Sequence, residues 1–274
     1  MKNKKKVKGI GFVIIGIFLV LFLFWQNNAL VISNYQIASE EIGEDLDGYR
    51  IVQISDLHNK EFGKGQKRLL KKIEQCKPDL IVITGDLVDG SHTDIEIAME
   101  FVEGVCEIAP VYYVTGNHEK WLEEGLEQEL LKQLEQKGVY CLNNEKQEIK
   151  VGKNRFLLLG LDDSNLLDDT LKGLSSDTQE QFTVLLAHEP QNVLQYSNCE
   201  MDLVLSGHAH GGQIRLPFIG GVVAPDQGFF PEYTAGIYEK GDTSMIVSRG
   251  LGNSIIPIRI FNQPEIVSVE LKKR

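Results

Sequence analysis

Arg50-Ile51-Val52-Gln53-Ile54-Ser55-Asp56-Leu57-His58 carries an apolar, β-branched run straight into a carboxylate and an imidazole two residues apart. Such a run reads as a buried strand, which puts the polar pair at its end. The pattern recurs along the chain. Leu80–Thr84 leads into Gly85-Asp86-Leu87-Val88-Asp89, and Val111–Thr115 into Gly116-Asn117-His118-Glu119. Thr183–Leu186 leads into Ala187-His188-Glu189-Pro190, and Met201–Ser206 into Gly207-His208-Ala209-His210. Five of the six histidines lie in these clusters. Carboxylate, amide and imidazole groups at the ends of successive strands converge on one edge of a sheet, an arrangement that can hold two metal ions close together.

Helical periodicity fills the gaps between the first strands. Gln66–Cys76 reads as an amphipathic helix, Asp94–Ile108 as a second, and Leu122–Lys137 as a charged third closed by Gly138. This β-α-β-α-β-α order predicts a mostly parallel sheet with right-handed crossovers. The second half is richer in strand. Glu145–Val151 and Arg155–Leu161 read as a hairpin, followed by strands at Gly212–Leu216, Ala235–Tyr238, Ser244–Ser248 and Glu265–Leu271. The expected fold is α/β: a four-layer α/β/β/α sandwich of two mixed sheets flanked by helices, preceded by one transmembrane helix. Leu161–Ser176 and Pro217–Glu232 read as loops walling the pocket.

The N-terminus divides the chain. Five lysines within the first eight residues precede Gly9–Trp25, seventeen residues without a charge. At 1.5 Å per residue that helix is about 25 Å long, close to a bilayer core. The lysines are expected on the cytoplasmic side and the body outside, with Trp25 at the interface. A cleaved signal peptide is the competing reading; the long apolar run and the lack of a small-residue cleavage site favour an uncleaved anchor. The expected partition is 1–26 anchor, 27–48 connector and 49–274 catalytic domain.

Apolar residues make up 42% and charged residues 24%, a globular composition. The net charge of −11 becomes −16 once the five leading lysines are set aside. So acidic a body disfavours nucleic-acid polymers as partners. Cys76, Cys106, Cys141 and Cys199 are isolated, and no C-x-x-C occurs, which excludes a zinc knuckle or thioredoxin-type motif.

Each polar cluster alone is weak, since D-x-H and H-x-H arise often by chance. All five in this order, each at a strand end, form a strong joint signal. Asp56 and His58 either share a strand face or are brought to one ion by a turn. Gly85 allows the backbone to approach the cluster closely. Oxygen and nitrogen donors without sulfur suit Mn²⁺, Fe²⁺ or Zn²⁺.

The order D-x-H, G-D-x-x-D, G-N-H-[ED], a later H and G-H-x-H resembles the calcineurin-like metallophosphoesterase family over about residues 49–215. The resemblance implies two divalent metal ions, Mn²⁺ favoured. Asp56, His58, Asp86 and His210 would hold one; Asp86, Asn117, His188 and His208 would hold the other, with Asp86 bridging. It implies phosphoester hydrolysis by a metal-activated hydroxide, with His118 beside the substrate as acid, oriented by Asp89, and Asn117 also touching substrate. Protein phosphatases of the superfamily carry an arginine after the second aspartate of G-D-x-x-D; here Gly90 stands there. Arg249, in a glycine-rich loop after a strand, is the candidate replacement as a phosphate contact. The run Gly207–Gln213 resembles that of membrane-anchored bacterial members, some described as phosphodiesterases or hydrolases of UDP-2,3-diacylglucosamine. A lipid-linked or nucleotide phosphodiester or diphosphate follows as the expected substrate, and lipid metabolism as the setting. The rival readings are a metal-binding membrane sensor or scaffold without turnover, and a binuclear amidase.

Overall fold

The computed structural model describes residues 2–162, 167–176, 178, 181–253 and 257–274. Two six-stranded sheets stack face to face between helical layers. The first has the order β1-β16-β2-β3-β4-β5, built from β1 (Val31–Ser39), β2 (Arg50–Ile54), β3 (Leu80–Thr84), β4 (Val111–Val114), β5 (Tyr140–Cys141) and β16 (Glu265–Lys273). The second has the order β14-β15-β9-β8-β7-β6, from β6 (Glu145–Val151), β7 (Asn154–Gly160), β8 (Thr183–Leu186), β9 (Leu203–Ser206), β14 (Gly236–Lys240) and β15 (Thr243–Val247). Strands β2 to β5 run parallel, as do β7, β8, β9 and β15; β16 against β2, β6 against β7 and β14 against β15 are antiparallel. Both sheets are therefore mixed, with antiparallel pairs confined mainly to the flanks.

Pleating explains why the strand runs are apolar on both faces. In β3, Leu80 and Val82 enter the layer between the sheets, whereas Ile81 and Ile83 face the helices. Val184 and Leu186 of β8 meet them from the other sheet, while Leu185 faces outward. The outer layer on the first sheet is α2 (Lys67–Cys76), α3 (Ile95–Cys106) and α5 (Leu126–Gln136). Asp94 caps α3 by accepting from Ile97 N. On the second sheet lie α6 (Leu167–Ser175) and α7 (Val193–Asn198). One buried polar side chain ties the sheets together beside the site: Gln53 Nε2 donates to Ser206 O and Thr84 Oγ1, both at 2.9 Å.

Three readings of the sequence change. Residues 27–48 are more than a connector, because β1 pairs in parallel with β16 over nine residues and belongs to the sheet. The stretch read as the loop Leu161–Ser176 contains α6; residues 163–166 lie outside the described residues. Gly212–Leu216 shrinks to β10 (Arg215–Leu216), which pairs with β11 (Gly220–Gly221), and β12 (Val223–Ala224) pairs with β13 (Gly228–Phe229). Short β-ribbons of this kind carry too few alternating residues to be visible as strands. The four cysteines are free; Cys76 is buried and the other three are partly exposed.

At the N-terminus α1 (Lys2–Asn28) contains one stretch, Gly11–Asn28, long and apolar enough to cross a membrane. Phe12 to Leu21, Phe24 and Trp25 carry largely exposed apolar side chains. The last turn of α1 is built into the domain. Asn27 Oδ1 accepts from Arg259 N at 3.0 Å, and Gln26 Oε1 accepts from Asn262 N at 3.2 Å.

Candidate metal centre

The polar clusters leave the C-terminal ends of β2, β3, β4, β8 and β9 and meet at one edge of the two-sheet stack. Turns, not strand faces, present them. Asp56, His58, Asp86, His208 and His210 all have positive φ, between 46° and 64°. Non-glycine residues rarely adopt this left-handed backbone. Five together mark a chain held in place by its surroundings. Asp56 N donates to Gly85 O and His58 N to Asp86 O, both at 3.1 Å, so the first two loops brace each other. Gly85 (φ +85°) is required here: a Cβ would sit 2.6 Å from His188 Nδ1 and 2.7 Å from Gly116 Cα.

Among the described residues, two groups of ligand atoms centre on Asp86: Asp56, His58, Asp86 and His210 form the first, and Asp86, His188 and His208 the second, beside the smaller groups His58, Asp89, His118 and Glu189, His208, Asp226. His58 Nε2 lies 3.2 Å from His210 Nε2 and 3.5 Å from Asp86 Oδ2, and His210 Nε2 lies 3.5 Å from Asp56 Oδ1. In the second group His188 Nε2 is 3.2 Å from Asp86 Oδ2, 3.1 Å from Asn117 Oδ1 and 3.1 Å from His208 Nδ1. Asp86 Oδ2 faces both groups, while its Oδ1 accepts from His118 N at 2.9 Å.

The donor chemistry fits cations. His188 Nδ1 sits 2.7 Å from Thr84 O, and a carbonyl only accepts, so the ring proton is on Nδ1 and Nε2 offers a lone pair. His208 Nε2 lies 2.7 Å from the Asp226 carboxylate, which likewise leaves Nδ1 as the inward lone pair. Those two lone pairs point at each other, at a carboxylate and at an amide oxygen. Acceptors converging in a buried space need a positive charge among them. Burial lowers the pKa of His58 and, further, of His210, favouring the neutral, ligating form of each. Burial alone would raise the Asp86 carboxyl and lower His188. Their mutual attraction wins, holding Asp86 well below and His188 well above the ordinary range, so without a cation Nε2 of His188 carries a proton in the place a bound cation would take.

Two contributors were not legible beforehand. Glu119, fully buried, accepts from the backbone N–H groups of Asp86 (2.9 Å), Leu87 (2.8 Å), Val88 (3.2 Å) and Gly116 (2.8 Å). It clips the G-D-x-x-D loop onto the G-N-H-E loop and so fixes Asp86 relative to Asn117. In the sequence it passes for a helix-capping carboxylate at α4 (Asn117–Lys120), a role it also fills. Asp226 comes from the β12–β13 turn, a segment without a motif, and orients His208 from outside. Asp226→Asn is expected to weaken divalent metal binding about 10–100-fold, the usual effect of losing such a partner. Metal titration monitored by calorimetry checks this, and excess metal should restore turnover.

Two expected roles gain partners. His118 Nδ1 accepts from Gly90 N at 3.0 Å, so a backbone amide sets its tautomer, and Asp89 and His58 each bring a ligand atom within 4.8 Å of it. Asp89 Oδ1 accepts from Ser91 N and His92 N, shaping its own loop, and its Oδ2 lies 3.8 Å from His58 Nδ1. Arg249 is not free to meet a phosphate. Its Nη2 donates to Glu265 Oε1 at 3.0 Å and its amide to Glu265 Oε2 at 2.8 Å, because the buried Glu265 needs a cation. His92 is exposed.

The sequence pattern of the calcineurin-like phosphoesterases matches residues 49–212, the span that delivers every ligand described above. The chain belongs to that family. It is a metallophosphoesterase, a hydrolase whose family uses a binuclear divalent metal site. It is 33% identical over 247 residues to the uncharacterized metallophosphoesterase YkuE of Bacillus subtilis, covering 88% of this chain and 85% of that one. It is 29% identical over 227 residues to the phosphodiesterase YaeI of Escherichia coli, covering 81% and 82%. It is also 29% identical over 255 residues to the zebrafish transmembrane protein with metallophosphoesterase domain, covering 87% of this chain and 56% of that one. The fold is similar to that in the crystal structure of TT1561 of Thermus thermophilus, with a TM-score of 0.50, 12% identity and coverage of 74% and 90%. Membership gives the Asp86-centred constellation its meaning: the candidate ligands come from five strand ends, and Asp86 is common to the two groups around it.

Proposed function

We propose that this metallophosphoesterase is anchored to a membrane through Gly11–Asn28 and cleaves a phosphodiester or diphosphate bond of a lipid-linked or nucleotide substrate. The observation that carries the reaction is Asp86 Oδ2, which lies within 3.5 Å of His58 Nε2 and 3.2 Å of His188 Nε2 and so joins two ligand sets. Asp56, His58, Asp86 and His210 hold one divalent cation, and Asp86, Asn117, His188 and His208 the other, Mn²⁺ being the favoured ion. Two such ions, when bound, supply a low-pKa water and neutralise charge building on the phosphoryl oxygens. Asn117 presents its amide beside the same oxygens.

His118 handles the leaving group. With Gly90 N–H on Nδ1, the neutral ring presents Nε2–H as a hydrogen-bond donor that would stabilise the charge on the departing oxygen. Its ring packs edge-on to His58 at 4.4 Å between centroids and against Trp121 at 4.5 Å, which fixes its direction. A sensor without turnover has no use for such a donor. Support for the diester comes from the Escherichia coli relative, a phosphodiesterase by name, and for the anchor from the zebrafish relative, named as a transmembrane protein. The leading lysines place the N-terminus in the cytoplasm and the catalytic domain outside.

The test is hydrolysis of bis-p-nitrophenyl phosphate by the full chain loaded with Mn²⁺, Fe²⁺ or Zn²⁺. Turnover with at least one ion is expected, and none with any would favour the sensor. His118→Asn should lower kcat about 10²–10⁴-fold while the metal content stays at the wild-type value. Metal lost in step with activity would reassign His118 as a ligand.

A further inference from the structure

The surface around the foot of α1 combines two unlike features. On one side, residues 60–72 hold six cations and a single carboxylate, in a body whose net charge is strongly negative. Lys64, Lys67, Arg68 and Lys71 are exposed. The segment is fastened to the helix end, since Arg68 Nη2 donates to Asn28 O at 2.9 Å and Lys60 Nζ to Asn27 O. On the other side are apolar side chains open to solvent. Phe261 packs its ring on Phe22 of α1 at 5.7 Å yet remains 56% exposed. The β10–β11 hairpin is joined to the same strip, with Arg215 N donating to Ile260 O at 2.9 Å, and at its tip Phe218 and Ile219 are fully or largely exposed. Phe218 holds that exposed ring on a left-handed backbone, φ 67°. The neighbouring β12–β13 hairpin carries Phe229, also exposed, and Asp226, which orients His208.

We propose that this collar seats the domain on an anionic phospholipid surface: Lys64, Lys67 and Lys71 meet the headgroups, and Phe218, Ile219 and Phe261 enter the layer beneath them. The inference rests on the membrane anchoring proposed above. An acidic body is repelled by an anionic leaflet, so the local cations decide whether it approaches, each adding attraction within a Debye length of the surface. Aromatic and aliphatic side chains then hold it there. Because the hairpin bearing Phe229 also bears Asp226, seating the collar brings the rim of the metal centre to the headgroup layer, where the phosphodiester of a membrane lipid is presented. The substrate class that fits is therefore a lipid phosphodiester or diphosphate rather than a soluble nucleotide.

The experiment places a photoreactive benzoylphenylalanine at Phe218 or at Tyr140, the latter exposed at the opposite edge of the sheet from β1. The full chain is reconstituted in phosphatidylcholine vesicles with or without phosphatidylglycerol, illuminated, and analysed by mass spectrometry. Lipid adducts at position 218 are expected in about tenfold excess over position 140. The triple variant Lys64→Glu, Lys67→Glu, Lys71→Glu should lower that yield several-fold in anionic vesicles alone. Equal yields at the two positions, adducts to a second protein copy in place of lipid, or indifference to the charge reversal would overturn the collar. Stripping of the chain by alkaline carbonate would overturn the anchor and the collar together; a resistant chain without lipid adducts overturns the collar only.

Discussion

Asp86→Asn is expected to leave the enzyme essentially inactive, with activity down by about 10⁴ or more and neither metal position filled at stoichiometric metal. The scale follows from the binuclear arrangement, in which both ions act on the same phosphoryl group. Asp86 is the one side chain shared by both ligand groups. An amide is uncharged, and if its one oxygen keeps the bond from His118 N its NH₂ group faces both ligand sets, where it cannot bridge. The substitution keeps the shape of the side chain and one acceptor for His118 N, now 2.9 Å from Oδ1, so the fold should survive. Elemental analysis of the purified variant beside the wild type reads the result directly. Loss of activity with two ions still bound would mean that the ions do not share Asp86, and the proposed reaction would lose its basis.

Glu119→Gln is expected to be the most damaging single change to stability outside the hydrophobic core. The carboxylate meets four backbone donors with two oxygens: Leu87 N and Val88 N on Oε1, Asp86 N and Gly116 N on Oε2. An amide substitutes N–H groups for one of those oxygens, setting donor against donor and leaving two buried amides unpartnered. At about 1–3 kcal/mol for each unpartnered group, the loss is about 2–6 kcal/mol. For a domain of this size that corresponds to about 5–15 °C in Tm, measurable by calorimetry.

The same residue gives a pH signature. Burial, and then the nearby Asp86 charge, push the Glu119 carboxyl up to about 7. A raised acid favours the folded state most where it is protonated. Its contribution is whole below the unfolded carboxyl's range near about 4.3 and fades as pH rises through 7. Metal-free wild type should therefore lose stability between about pH 5 and 7 relative to the Gln variant. A pH-independent difference in Tm would deny Glu119 this titration.

How much of this was readable from the chain depends on which interaction decides each feature. Strands β2, β3, β4, β8 and β9 announce themselves because each is buried on both faces, and burial on both faces demands an unbroken β-branched or aliphatic run. The candidate ligands announce themselves because metal chemistry restricts residue type: Asp, His and Asn recur at those strand ends. Elements set by pairing alone were silent. β1 reads as a connector because its burial alternates irregularly, and only nine backbone pairings with β16 make it a strand. Arg249 looked available because a sequence does not show that Glu265 lies opposite it.

The sequence by itself determined the α/β layering, the strand ends from which the candidate ligands come and the apolar N-terminal helix, since each rests on residue type and local period. Tertiary structure decided who serves whom. The Gly90 amide donates to His118, Asp226 holds His208, and Glu119 locks two loops through four amides. The physical reason is that hydrogen-bond partners distant along the chain are chosen by where the fold places them, and directional bonds of about 3 Å leave no trace in residue spacing.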